Sequence, residues 1–424
     1  ITGTTGDSVC SEFWEDGFEG KKWINVPWSD NSEIKIDPEH KMPELFRLNN
    51  NIRTSGVCRR VDPFQLRFLY TIEEPDKRSL LYIPALDWNS ADGLMAGMIL
   101  NNGTLIPKPV EYFFIPFYTF RNHGITGYGK ISFNITPYDN LIRIATFTLE
   151  GEQFGAPGNQ NYHKAKIGLD LGFRSGSMIN PFNHKVFGYF LTASDLHQIE
   201  LLMPAKMRSF LQFGYIMERS GIINPFNMSV SSESGKSFRK TSLELNYTYS
   251  YYGKNRGLGI RFFAGAMLKN DSADPFYRFS TSGRSGNEQY LYEGLYPDRF
   301  SELTKTFWSR QMSLSEGGLV SPVNNALGYS RWLLSLSLTS SLPEKISWIP
   351  VKLFFNVLLN DHGAETAYKS PLFFEAGFKA GIWNFFEIYL PLLVSDNIES
   401  ITGSFKDRIR FELKLDLLNP LRLK

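Results

Sequence analysis

The chain is 424 residues long, with a formal charge of +2 and a mean hydropathy of -0.23. That length exceeds one ordinary globular domain and calls for two or three domains or one large closed sheet. The small charge, with no long Lys/Arg block, excludes the concentrated basic face of a nucleic-acid binder, and the absence of any run of 18 apolar residues excludes a transmembrane helix. Aromatic residues reach 15% while charged ones stay at 21%, a balance suited to a surface apolar in one zone and wet in another.

The chain starts at Ile1 without a methionine or a leader pattern and so reads as a processed product or a fragment of something longer. Residues 1–60 hold the two cysteines, Cys10 and Cys58, together with Trp14, Trp23, Trp28 and the acidic stretch SDNSEIKIDPEH. They read as one or two hairpins at the end of a small extramembrane β domain, joined to the rest through NNNIRTSG. A Cys10–Cys58 disulfide would stabilise this segment by about 4 kcal/mol and imply an oxidising compartment. Two free buried thiols are the other reading.

VEYFFIPFYTF, residues 110–120, has six aromatics in eleven residues. As a strand it puts Tyr112, Phe114, Tyr118 and Phe120 on one face, with Pro116 among them. That face suits lipid and its interfacial aromatic belts, and a core strand of a soluble protein is the alternative. Because proline cannot donate to a ladder, Pro116 predicts a bulge or a local break in pairing.

Two-residue alternation then recurs along the chain. In HKAKIGLDLGFR, Ile167, Leu169, Leu171 and Phe173 oppose Lys164, Lys166, Asp170 and Arg174; SLELNYTYSYY and RWLLSLSLTSS repeat the sense. In RIRFELKLDLL, the apolar Ile409, Phe411, Leu413, Leu415 and Leu417 alternate with Arg410, Glu412, Lys414 and Asp416. No amphipathic helix of normal length is evident after residue 64, so the class is all-β.

Many of these segments keep the alternation for about nine to twelve residues, the span a tilted strand needs to cross a bilayer. Because lipid forbids unpaired backbone groups, such strands must close. The expectation is therefore a transmembrane outer-membrane β-barrel of about 14–16 antiparallel strands over residues 61–424, with the polar series Arg410, Glu412, Lys414 and Asp416 lining the lumen. A large soluble β protein such as a propeller is the competing architecture. Strands are predicted to start near residues 64, 92, 110, 125, 140, 162, 186, 207, 236, 255, 274, 330, 350, 370, 384 and 406. This even number places both ends of the barrel in the periplasm and the 284–329 connection outside the cell. RSGSMINPFN (174–183) and RSGIINPFN (219–227) repeat nearly exactly, and read as a duplicated turn on the periplasmic side.

Chemistry is sparse. The six histidines, His40, His123, His163, His184, His197 and His362, include no zinc-helix pair, and His197 with Glu200 forms only an H-x-x-E. Nucleophile-elbow, Walker and dinucleotide fingerprints are missing. The carboxylates of SDNSEIKIDPE and of DHG (361–363) read as solvated loops rather than calcium ligands. No cofactor is expected in this chain.

Three stretches, EIKIDPEHKMPELFRLNNNIR (33–53), DWNSADGLMAGMILNNGTLIPKPVEYFFIPFYTFRNHGITGYGKI (87–131) and RIRFELKLDLLNPLRL (408–423), resemble the C-terminal half of the barrel-bearing M1-type (gluzincin) metallopeptidases of Bacteroidota. The likeness is most specific in ADGLMAG, in the aromatic strand and in the closing LNP, and weak in the middle. It implies a zinc peptidase domain ahead of an outer-membrane barrel. The zinc histidines and the catalytic and ligand glutamates of that family have no counterparts here, so no catalytic residue is carried over. Either the peptidase domain precedes Ile1 in the parent, bringing zinc with it, or this is a relative without one. The expected function is a bacterial outer-membrane anchor or scaffold for a periplasmic peptidase-like domain, or a subunit of an outer-membrane complex. Its partners would be outer-membrane lipid or lipopolysaccharide and other outer-membrane or periplasmic proteins, with no nucleic acid. The alternative is a porin-like channel, with the 284–329 loop folded inward as a plug or outward as a binding surface.

Overall fold

The structure is a computed structural model. It describes residues 1–5, 8–17, 19, 22–26, 32–44, 47–56, 59, 64–69, 77–103, 108–137, 141–156, 160–175, 182–195, 206–219, 221–251, 256–271, 277–283, 307–322, 329–346, 348–361, 371–382 and 385–414. The chain divides into two compact units, residues 1–83 with 99–104, and residues 84–98 with 105–424.

The first unit begins with β1 (Thr2–Thr5), β2 (Ser8–Glu12), β3 (Glu33–Lys35) and β4 (Asn51–Arg53), which form one sheet in the order β2-β1-β3-β4. A bulge between Gly3 and Thr4 interrupts the β1–β2 hairpin. After β3 the chain turns at Asp37, whose positive φ of 46° is tolerated because its carboxylate bonds locally. That carboxylate accepts the Lys41 and Met42 N–H groups, each at 2.8 Å, and pairs with buried Arg47 at 2.9 Å. The unit also holds β5 (Phe64–Phe68), which pairs in parallel with the start of β6 (Arg78–Asn89), from Phe64↔Arg78 to Phe68↔Tyr82. Gln65 Nε2 donates to Ser79 Oγ across this pair at 2.8 Å.

The strands that follow are β7 (Gly93–Asn101), β8 (Val110–Thr119), β9 (Gly124–Ile135), β10 (Ile142–Ala156), β11 (Gln160–Phe173), β12 (Asn183–Asp195), β13 (Lys206–Arg219), β14 (Phe226–Gly235), β15 (Phe238–Ser250) and β16 (Gly257–Asn270). Two short pieces, β17 (Phe279–Ser280) and β18 (Tyr329–Ser330), pair with each other. They are followed by β19 (Trp332–Ser341), β20 (Val351–Asn360), β21 (Leu372–Ile382), β22 (Phe386–Val394) and β23 (Arg410–Leu413). The hydrogen-bonded order runs from β5 to β16 and on through β19 to β23 as a closed barrel. From β8 round to β23 every ladder is antiparallel. Between β22 and β23 lie two short helices, α1 (Asp396–Thr402) and α2 (Phe405–Arg408).

The all-β barrel expected from the alternation is present, with two strands that the alternation does not predict and one predicted strand that lies outside it. Twelve strands from β5 to β16 and five from β19 to β23 make seventeen. Two of these, β6 and β14, were absent from the sequence expectation. The strand expected near 64 is the short β5, which pairs in parallel with β6 within the barrel order; the one expected near 274 is not in that order, since the described residues there show only the two-residue β17. The last strand starts at Arg410 rather than near 406, because residues 405–408 form α2.

Pro116 makes no bulge on its β9 side, and the donor it lacks falls on the β7 side. The β8–β9 register runs without a shift from Val110↔Phe133 to Thr119↔Gly124 through Pro116↔Gly127. The Asn134 N–H donates to the Pro109 carbonyl at 2.8 Å and the Phe120 N–H to the Leu94 carbonyl at 3.0 Å. Odd positions of β8 therefore bond to β9 and even positions to β7, so the proline withholds nothing from the β9 ladder. On the β7 side Gly97 admits the close approach: a Cβ there would lie 2.0 Å from the Pro116 carbonyl oxygen.

Candidate functional site

A closed sheet has one inner and one outer face, and alternation assigns each side chain to one of them. In β8, Val110, Phe114 and Tyr118 are exposed, while Glu111, Phe113, Ile115 and Thr119 are buried. Exposed large apolar side chains continue round the same face at Phe147, Ile167, Leu169, Phe190, Leu211, Phe213, Leu334, Phe355 and Phe374. Of the predicted aromatic stripe, Phe114 is 36%, Tyr118 44% and Phe120 51% exposed, with Tyr112 half-buried and stacked on Phe114 at 6.0 Å.

The opposite face carries ion pairs. Direct cross-strand partners bring Glu150 to Lys166 (2.7 Å) and Glu152 to Lys164 (2.7 Å), and diagonal neighbours on adjacent strands bring Asp170 to Lys185 (2.6 Å) and Glu244 to Arg261 (2.9 Å). Near the seam, Glu387 receives both Lys379 (2.8 Å) and Lys414 (2.7 Å), and the Tyr389 hydroxyl bonds to Glu387 (3.1 Å) and Glu412 (3.0 Å). Of the predicted lumen series, Glu412 and Lys414 thus join one network, while Arg410 Nε donates to the Ser321 carbonyl at 3.3 Å. Asp416 lies outside the described residues. Among the described residues, charges of both signs interleave on this face and pair with each other.

This inner space is occupied. The connection from β16 to β19 folds back so that residues 277–283 and 307–322 meet the inner faces of many strands. Tyr277 packs with Tyr162, Leu191, Phe210 and Phe238 on one wall, and Phe279 and Leu319 pack with Phe263, Leu333, Leu358 and Phe373 on another. Ile398 of α1 belongs to the second cluster, and Met312 and Val320 form a third with Phe354 and Tyr389.

The inserted segment is latched at Glu375 of β21, a fully buried carboxylate. One carboxylate oxygen accepts the Val320 N–H (2.6 Å) and Asn356 Nδ2 (2.8 Å), and the other accepts the Ser321 N–H (3.0 Å) and Ser321 Oγ (2.5 Å). Four donors satisfy the buried carboxylate and two backbone N–H groups that would otherwise lack partners. Nearby, the Glu316 carbonyl accepts Arg261 Nη1 (3.2 Å) and Ser335 Oγ (3.0 Å). Gly318 turns there at φ 71°, where a Cβ would lie 2.7 Å from Ser337 Oγ.

Sequence reasoning did not single out Glu375 or residues 307–322. The available signal was one carboxylate inside LFFEAGFKAGI, on the polar side of an apolar strand, which must find donors when the barrel closes. The remainder of the predicted 284–329 loop, residues 284–306 and 323–328, lies outside the described residues. Cys10 is exposed in β2, its thiol 3.8 Å from the Ser8 carbonyl, and Cys58 lies outside the described residues. So do His197, Glu200 and His362. Among the described residues no group of three His, Cys, Asp or Glu stands close enough to hold a metal ion, so they do not fit the zinc of the peptidase resemblance.

No family model matches the chain, and no curated protein matches it. Solved structures similar to it include BamA from Haemophilus ducreyi lacking POTRA domains 1–3, at 9% identity over 76% of this chain and 70% of that one, with a TM-score of 0.41. CdiB from Acinetobacter baumannii is 12% identical over 76% of this chain and 60% of that one, with a TM-score of 0.39. CdiB from Escherichia coli is 12% identical over 77% and 61%, with a TM-score of 0.40. The barrel described above stands on its own hydrogen-bonded strand order.

Proposed function

We propose that this chain is a bacterial outer-membrane β-barrel that works as an anchor or scaffold, either for a periplasmic M1-peptidase-like domain or as a subunit of an outer-membrane complex, and that it does no chemistry itself. The observation that carries the reading is the filled interior, where the 307–322 segment is latched at Glu375 and the surrounding charges are paired among themselves. An exposed apolar face on a closed barrel supports placement in a bilayer, since a water-soluble surface avoids such continuous patches. The peptidase half rests on the sequence resemblance of residues 33–53, 87–131 and 408–423, and any zinc belongs to that domain.

The lengths of the connections support an orientation. The longest, 196–205, 271–331, 361–371 and 395–409, leave one end of the barrel, which also has the tight turns 90–92, 120–123, 157–159 and 236–237; the opposite end has 102–109, 136–141, 174–182, 220–225, 251–256, 342–350 and 383–385. With the longest loops outward, the second end, where the first and last long strands of the barrel begin and finish, would face the periplasm.

Conductance in a planar bilayer tests the reading. The purified chain is expected to show no steady open pore, and deletion of 307–322 to create one. A steady pore in the intact chain would replace the anchoring role with that of a solute channel.

A further inference from the structure

The duplicated turn sequence leads to a second site, on the outer wall. In β12, His184 and Val186 alternate with Lys185, which pairs inward with Asp170; in β13, Tyr215, Met217 and Arg219 share the outward face with exposed Leu211 and Phe213. Followed toward the short-connection end, this face changes character: Phe213 and Phe190 give way to Tyr215 and His184, then to Arg219. The His184 Nδ1 and the Tyr215 hydroxyl are 2.6 Å apart with their rings stacked.

Both copies of the repeat contribute to Arg219. Phe182, from the first, lies under its guanidinium at 5.4 Å from carbon to ring centroid; Phe226, from the second, is the cross-strand partner of Arg219 and meets Phe182 edge-on at 6.5 Å. The turn closes at Asn224, with a φ of 51°, whose carbonyl accepts Arg219 Nη2. Asn224 is held by Ser250: its N–H donates to Ser250 Oγ and its Oδ1 accepts the Ser250 N–H, both at 2.9 Å. Arg219 Nε has no hydrogen-bond partner, and among the described residues no carboxylate lies within ion-pair distance of the guanidinium. Glu218, its neighbour in sequence, points to the other face of the sheet.

We propose that Arg219, framed by Phe182 and Phe226 and flanked by the His184–Tyr215 pair, binds the headgroup phosphate of an anionic phospholipid at the short-connection end of the barrel. An arginine on a lipid-facing wall is costly at mid-membrane and nearly free at the interface, where an aromatic belt is also at home. Its planar fork of donors matches phosphate oxygens: with Nε buried and Nη2 on the Asn224 carbonyl, Nη1 is left to donate outward together with the second Nη2 hydrogen. The phospholipid source, rather than lipopolysaccharide, follows from this end facing the periplasm. The inference rests on the membrane reading above.

Native mass spectrometry of the full chain in detergent, titrated with dioleoyl phosphatidylglycerol, tests the site. The wild type is expected to retain the lipid, R219Q to bind it about tenfold more weakly, the equivalent of roughly 1.4 kcal/mol, and R219K to fall between because it keeps the charge but loses the fork. Equal binding by wild type and a folded R219Q overturns the site. Preferential retention of lipid A, or full displacement by inorganic phosphate, overturns the phospholipid assignment. Heat-modifiable migration in gel electrophoresis reports folding separately: a wild type without it brings down the membrane reading, and the site with it. Were R219Q alone to misfold, the R219K titration becomes deciding, and wild-type affinity there overturns the role of the fork.

Discussion

Glu375 and Asp37 are both carboxylates satisfied by backbone N–H groups, yet their surroundings give them different consequences. Replacing Glu375 with Ala removes the acceptor of four donors, and each buried group left unmatched costs roughly 1–3 kcal/mol. Glu375→Ala is expected to release 307–322, seen as protease cleavage there and as bilayer conductance, with a lower thermal midpoint. Asp37 lies outside the barrel strands, where the Met42 N–H, aided by Arg47 and the Lys41 N–H, holds its carboxyl down at about 2. Because this folded-state value lies below the ordinary carboxylate value of about 3.9, its contribution is fully present above that pH and is lost as pH falls through about 2. Hydrogen exchange over residues 37–50 is expected to accelerate across that window in the wild type and to show no such window in Asp37→Asn.

Among the elements, the β6–β7 turn shows what ADGLMAG does in place. Asp92, within that motif, is buried; Asn89 Nδ2 donates to it at 3.0 Å and the Gly155 N–H of β10 at 2.7 Å. A Cβ on Gly155 would lie 2.2 Å from Asp92 Oδ1, so Gly155→Ala must push the carboxylate aside. Such overpacking costs about 1–3 kcal/mol, and thermal melts of Gly155→Ala and Asp92→Asn are expected to fall in parallel, with the double variant less than additive. The strand β14, FNMSVSSESG, illustrates an element the alternation could not reveal. Serines occupy both faces, leaving little contrast, and its place comes from ladders to β13 and β15 with Ser231 Oγ 2.9 Å from Ser242 Oγ.

For the molecule as a whole, the arrangement of connections makes an orientation prediction. An epitope inserted within 196–205 or 361–371 is expected to be reached by antibody on intact cells, and one within 342–350 only after the outer membrane is permeabilised. The reverse pattern would invert the barrel and move the Arg219 site to the opposite leaflet.

Strand character was legible where one face is apolar and the other polar, as in HKAKIGLDLGFR, because side-chain period is a local property of the backbone. It was not legible in β14, where face contrast is low, or in β6, where Pro84 interrupts an otherwise apolar run. The expected sixteen falls one short of the seventeen in the barrel, since β6 and β14 are missed and the segment near 274 lies outside its order. The inner polar series was also legible, but not its partners: Glu387 with Lys379 and Lys414, or Glu375 with Val320 and Ser321, come together only when distant strands close. Local sequence thus set which side chains alternate and that the strands are long. Closure of the barrel and the return of 307–322 into it set what the inner face holds, because a buried carboxylate takes its donors from whatever the fold brings within reach.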